Sequence, residues 1–147
     1  MANDKLADER PDGVGHLSDT FMKTTRELVE RSIDDGSLED DREAFFEAFL
    51  SLQSSDIDGA IEGFRSAARK TSAPFDALSL VALAECQRIR GREAAAIREW
   101  KKIADDDDAP HAARYVSWLS LASMAEKRDD ERLLQKANDA LEEFSDH

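Results

Sequence analysis

The residues most able to do chemistry in this chain are few and scattered. Its three histidines are His16, His111 and His147. No two share the i, i+4 spacing that sets a pair of imidazoles on one helix face around a metal ion. His111 follows Pro110 at a helix start, where an exposed loop role is expected. The one cysteine, Cys86, lies on an alanine-rich stretch without an evident histidine partner. It is expected to act as a small buried apolar group, the alternative being a reactive thiol. Four aspartates run from Asp105 to Asp108. Carboxylates can hold calcium, but this run lacks the glycine and closing glutamate of the helix–loop–helix calcium site. Four like charges at a helix C-terminus oppose its dipole, so a solvated helix stop is expected instead. Arg88, Arg90, Arg92 and Arg98 form a basic patch in an acidic chain. Pairing with carboxylates a turn away accounts for it, and anchoring an acidic ligand is the alternative. A glycine-rich phosphate loop is absent from the sequence. The expectation is a non-catalytic protein with no metal and no cofactor.

The bulk numbers narrow the partners. The chain has 147 residues, which fits one domain, and 33 acidic residues against 20 basic give a net charge of −13. A duplex-binding surface releases counterions through lysine and arginine, so nucleic acid is not an expected partner. Anionic membrane is disfavoured for the same reason. A basic partner stays open, as do plain solubility and a salt-loving host, since Asp outnumbers Glu and Lys is scarce. A single cysteine allows no intramolecular disulfide, and a reducing compartment is the default. The start, MANDKLADERPDGVGH, has no apolar run of the kind a signal peptide needs. No stretch approaches the roughly 20 apolar residues of a membrane span. A soluble, cytoplasmic protein is expected.

Residue spacing then gives the elements. Residues 1–16 read as a disordered acidic tail, and 17–147 as an all-α domain of about seven helices. Ser18 caps a first helix over 17–35, which Asp35-Gly36 ends. The second helix carries Phe45, Phe46, Phe49, Leu50 and Leu52, a wide apolar face. Ser54-Ser55-Asp56 breaks that run and caps a third helix with Ala60, Ile61, Phe64 and Ala67. Pro74 opens the fourth, in the first turn, and Gly91 closes it. The fifth holds Ala96, Ile97, Trp100 and Ile103, and Pro110 opens the sixth. Arg128-Asp129-Asp130 turns the chain into the seventh, with Leu133, Leu134, Ala137, Ala140, Leu141 and Phe144. No strand is evident.

The pattern repeats. Ala60-Ile61-x2-Phe64-x2-Ala67 recurs 36 residues on as Ala96-Ile97-x2-Trp100-x2-Ile103, and Pro74 and Pro110 are also 36 apart. Leu133-Leu134-x2-Ala137-x2-Ala140 is a looser third copy, offset by 37. Leu80-x2-Leu83-Ala84 matches Trp118-x2-Leu121-Ala122, offset by 38. A small residue lets the next helix approach and a large one fills the groove beside it. One such pair cannot bury its apolar faces alone, and stacked neighbours complete each other's core.

These motifs resemble the tetratricopeptide repeat (TPR) family, with its period of about 34 and its W-x2-L-G-x2-Y, A-x3-F and P positions. Trp118-x2-Leu121-Ala122 is similar to the first half, with Ala for Gly and Ala125 where the aromatic stands. Ala60-x3-Phe64 and Ala96-x3-Trp100 are similar to the second half, and Pro74 and Pro110 sit two residues late. The resemblance covers about residues 38–144. It implies three helix pairs, over 37–70, 73–107 and 109–144, stacked as a short right-handed TPR-like α-solenoid with the helix at 17–35 as a cap. In the first pair strict phasing puts Glu47 in the core, and a shift onto Phe46, Phe49 and Leu50 repairs it.

The resemblance also implies a function: an adaptor that takes a peptide or helix of another protein in a concave groove lined by the first helix of each pair. Carried over by position, the groove residues are Arg42, Phe45 and Phe49, then Val81, Glu85 and Arg88, then Leu119, Ser123 and Glu126. For the apolar members a plain core role is the alternative. The Lys and Asn pattern of family members that clamp a C-terminal carboxylate is not present. Competing readings are a structural subunit or homodimer, and a secretion-type chaperone, similar in length and with a helix before three such repeats.

Overall fold

The computed structural model describes residues 39–145 together with Lys23, Arg26 and Glu27. Among them are six α-helices and no strand: α1 (Glu39–Gln53), α2 (Ile57–Lys70), α3 (Phe75–Ile89), α4 (Glu93–Ala104), α5 (His111–Lys127) and α6 (Glu131–Ser145). The acidic tail and the first of the seven expected helices lie outside the described residues, apart from those three helical positions.

Local chemistry sets the helix ends. Glu39, Asp40 and Asp41 open α1, where negative charge meets the positive end of the dipole. The Asp56 carboxylate accepts a hydrogen bond from the Gly59 amide at 3.0 Å and so caps α2. Asp130 does the same for α6, accepting from the Leu133 amide at 3.1 Å. Pro74 and Pro110 stand at the N-cap positions of α3 and α5, one residue before the first turn that the sequence suggested. Asp105 is the C-cap of α4, and Asp106, Asp107 and Asp108 follow it in an exposed loop, so the acidic run is a helix stop.

α1, α3 and α5 end in one common way. Ser55, Gly91 and Asp129 take positive φ angles of 67°, 86° and 56°. Their amides donate to Leu52, Arg88 and Glu126 at 3.1, 2.9 and 3.3 Å. The following amides, of Asp56, Arg92 and Asp130, donate to Ser51, Gln87 and Ala125 at 2.8, 2.9 and 2.8 Å. This is the Schellman motif, which satisfies the last carbonyls and reverses the chain. It does so over 54–56, 90–92 and 128–130, giving three antiparallel helix pairs.

Burial repeats with the turns. Phe45, Ala48, Phe49 and Leu52 on α1 recur 36 residues later as Val81, Ala84, Glu85 and Arg88 on α3. They recur again after 36 as Ser117, Ser120, Leu121 and Met124 on α5, and all of these are buried. On the second helices Ala60, Phe64 and Ala67 become Ala96, Trp100 and Ile103, then Leu133, Ala137 and Ala140 after an extra residue. Two expected core assignments change. The buried set on α1 uses Phe45 and Leu52, while Phe46 is half-buried and Leu50 is 59% exposed. On α3, Leu80 is 42% exposed and Leu83 half-buried. Each residue turns a helix by about 100°, so a shift of one position along the chain moves a side chain off the core face.

Each helix packs on the next in sequence, and α1 also meets α3, as α3 meets α5. Small residues allow the closest approach: a Cβ on Gly63 would lie 2.7 Å from that of Ala48 across the α1–α2 contact. Arg90 at the end of α3 pairs with Asp58 at the start of α2. One repeat on, Lys127 at the end of α5 pairs with Glu93 at the start of α4 at 2.6 Å. The same kind of ion pair thus ties each pair to the one before it.

Candidate partner-binding surfaces

The nine residues expected to line a groove do not form one open surface. Phe45, Phe49 and Val81 are wholly buried. The Phe45 ring lies 5.5 Å from that of Phe64 and 5.9 Å from that of Phe75, so it joins three helices in the core. These three residues pack in the core, the alternative that the sequence left open for them; helix phase turns them inward and leaves Leu50 and Leu80 accessible. Glu85 and Arg88 are buried too, and bind each other through Oε1–Nε at 2.8 Å and Oε2–Nη2 at 2.9 Å. Arg42, Leu119 and Ser123 are half-buried and Glu126 is exposed.

The groups that could react are buried or engaged. Cys86 is wholly buried, and its thiol is pushed up to about 12, mainly by burial and then by the Glu85 charge, with Arg90 acting the other way. His111 is exposed, with its ring 4.4 Å from that of Phe144, which also lies 5.5 Å under the Arg114 guanidinium. Asp107 and Asp105 pair with Arg114 and Lys136 at 3.6 and 3.9 Å. No three His, Cys, Asp or Glu among the described residues are grouped to hold a metal ion. No helix among those residues is long and apolar enough to cross a membrane.

The expected basic patch is dispersed. Arg88 is inside, Arg90 is paired with Asp58, and Arg92 donates to Gln87 at 3.2 Å. Arg98 belongs instead to a cleft of about 500 Å³ between α4, the end of α5 and the start of α6. Ile97, Met124 and Leu133 form its floor, and Arg98, Lys101 and Arg128 stand exposed around it. Reading α4 alone hides this cleft, because Arg128 is 30 residues away in sequence. A second, smaller groove of about 270 Å³ runs between α1 and α2 over Ala48, Ser51, Gly59 and Gly63.

No protein-family model, no curated protein and no solved structure matches the chain.

Proposed function

We propose that this chain is a short TPR-like α-solenoid that acts without catalysis, binding a peptide or helix of a partner protein. The observation that carries this reading is the 36-residue recurrence of buried positions through α1, α3 and α5, with those first helices in mutual contact. Three pairs that repeat by translation form an extended array, and such arrays present long shared faces to other proteins. The first-helix face would offer Leu80, Leu83, Leu119, Ser123 and Glu126, with Leu83 and Leu119 one repeat apart. A cytoplasmic location, and no nucleic-acid partner, belong to the same reading.

Affinity capture from the native host, followed by mass spectrometry, tests it. The wild-type chain should retain a defined protein that a Leu83→Asp/Leu119→Asp variant of unchanged helicity does not. Retention of the same proteins by both, or of none by either, would count against the groove. Self-association is the second reading, favoured by Leu50, 59% exposed beside half-buried Phe46 on α1. Light scattering that gives a dimer, and a monomer for Leu50→Glu, would establish it.

A further inference from the structure

We infer that the cleft between α4, α5 and α6 docks an acidic segment of a partner protein, one apolar side chain entering the floor and flanking carboxylates meeting the rim. It lies between the second helices α4 and α6 and the C-terminal end of α5, and rests on the interaction-module reading only in that the occupant is a protein segment. Its apolar lining is Ala94, Ile97, Met124, Ala125 and Leu133, of which Ala94 and Ile97 are the accessible ones. The rim carries Arg98, Lys101 and Arg128, all exposed and without an ion-pair partner among the described residues. The one carboxylate at the cleft, Asp130, is committed to the Leu133 amide as the cap of α6. Its charge faces a helix N-terminus, so the rim stays net positive.

The full basic rim is not imposed by the repeat. One repeat earlier Arg65 and Arg92 hold the places of Lys101 and Arg128, while Glu62 stands where Arg98 does, so Arg98 is the charge that sets this rim apart. In a chain of net charge −13, three unpaired cations around an apolar floor are complementary to an acidic segment and repel a basic one. Arginine favours this further, since its planar fork binds a carboxylate through two parallel hydrogen bonds. Outside the cleft, Lys127 is paired with Glu93 and Lys136 with Asp105, while Lys102 and Arg132 face solvent.

A display library of random peptides, selected against the full chain, tests the inference. The peptides retained should carry carboxylates beside a leucine, isoleucine, phenylalanine or methionine. Their binding should fall as salt is raised from about 0.05 to about 0.5 M, where exposed charges are screened. Binding should weaken by about tenfold or more in Arg98→Glu/Arg128→Glu, since reversed charge at a rim opposes encounter and contact. Arg65→Glu/Arg69→Glu, which changes exposed cations on α2, should bind as wild type, and circular dichroism confirms that each variant is folded. Retained peptides without acidic bias, or peptides that bind the cleft variant equally well, would overturn the inference while leaving the module reading in place. No retained peptide at all would end both. A dimer that the cleft variant converts to monomer would assign the cleft to a second copy and overturn it as well.

Discussion

Glu85 and Arg88 form a bidentate ion pair inside α3, with side chains 0% and 1% exposed, in the register that Phe49 and Leu52 hold one repeat earlier. One repeat later the same register holds Leu121 and Met124. These two registers, apolar in the first and third repeats, therefore carry a charge pair in the central one. The two residues lie three apart on one helix, so they are neighbours as soon as the helix forms. Burying both charges has a desolvation cost that their mutual attraction only partly offsets.

Removing one partner should therefore be far worse than removing both. Arg88→Met should destabilise the chain by about 3–5 kcal/mol. Glu85→Leu/Arg88→Met, which installs the residues of the third repeat, should be neutral or more stable by about 1–4 kcal/mol. Urea denaturation measures both. A single variant as stable as wild type would show that the pair is hydrated.

The three turns give a second expectation. A Cβ at Gly91 meets nothing within 4 Å, so Gly91→Ala loses only the ease of φ +86°, a cost of about 1 kcal/mol. Ser55 and Asp129 already bear that strain at φ 67° and 56°. Ser55→Gly and Asp129→Gly should each raise stability, by up to about 1 kcal/mol, in thermal melts. Opposite signs at these positions would contradict the shared turn geometry.

Trp100 is wholly buried, and its indole N–H donates to the Val81 carbonyl at 3.2 Å. Trp100→Ala should cost roughly 3–5 kcal/mol through the cavity it leaves. Trp100→Phe keeps most of the packing but leaves that carbonyl without its donor, a smaller loss of about 1 kcal/mol before any packing change. A melting curve unchanged by Trp100→Ala would remove it from between the helices.

Cys86 predicts a pH effect with a definite sign. Its folded value, about 12, lies above the ordinary thiol value of 9.0, so the unfolded chain loses the proton first as pH rises. Stability from this group is intact below pH 9.0 and is lost progressively as pH climbs toward about 12. At pH 8 a disulfide-exchange reagent should leave the native thiol unmodified and label it fully in denaturant. Rapid labelling of the folded chain would show that the thiol is accessible.

Much of this was visible in the residues themselves. The breaks at Ser54-Ser55-Asp56, Gly91 and Arg128-Asp129-Asp130, and the recurrence of Ala60-x3-Phe64 as Ala96-x3-Trp100, locate the pairs, because capping and turn chemistry act over a few neighbouring residues. Spacing also marked Phe45, Phe49 and Val81 as members of helix faces, but not which face. That choice depends on helix phase, and one position, about 100°, separates buried Val81 from exposed Leu80.

By itself the sequence determined where the described helices begin and end and that they come as pairs, since those are short-range matters of hydrogen bonding and apolar spacing. Tertiary structure decided which side chains lose water. It placed Glu85 and Arg88 inside, turned Leu50 and Leu80 outward, and brought Arg128 on one pair beside Arg98 and Lys101 on another. Burial and charge proximity depend on how helices distant in sequence lie against one another, and no local pattern of residues encodes that distance.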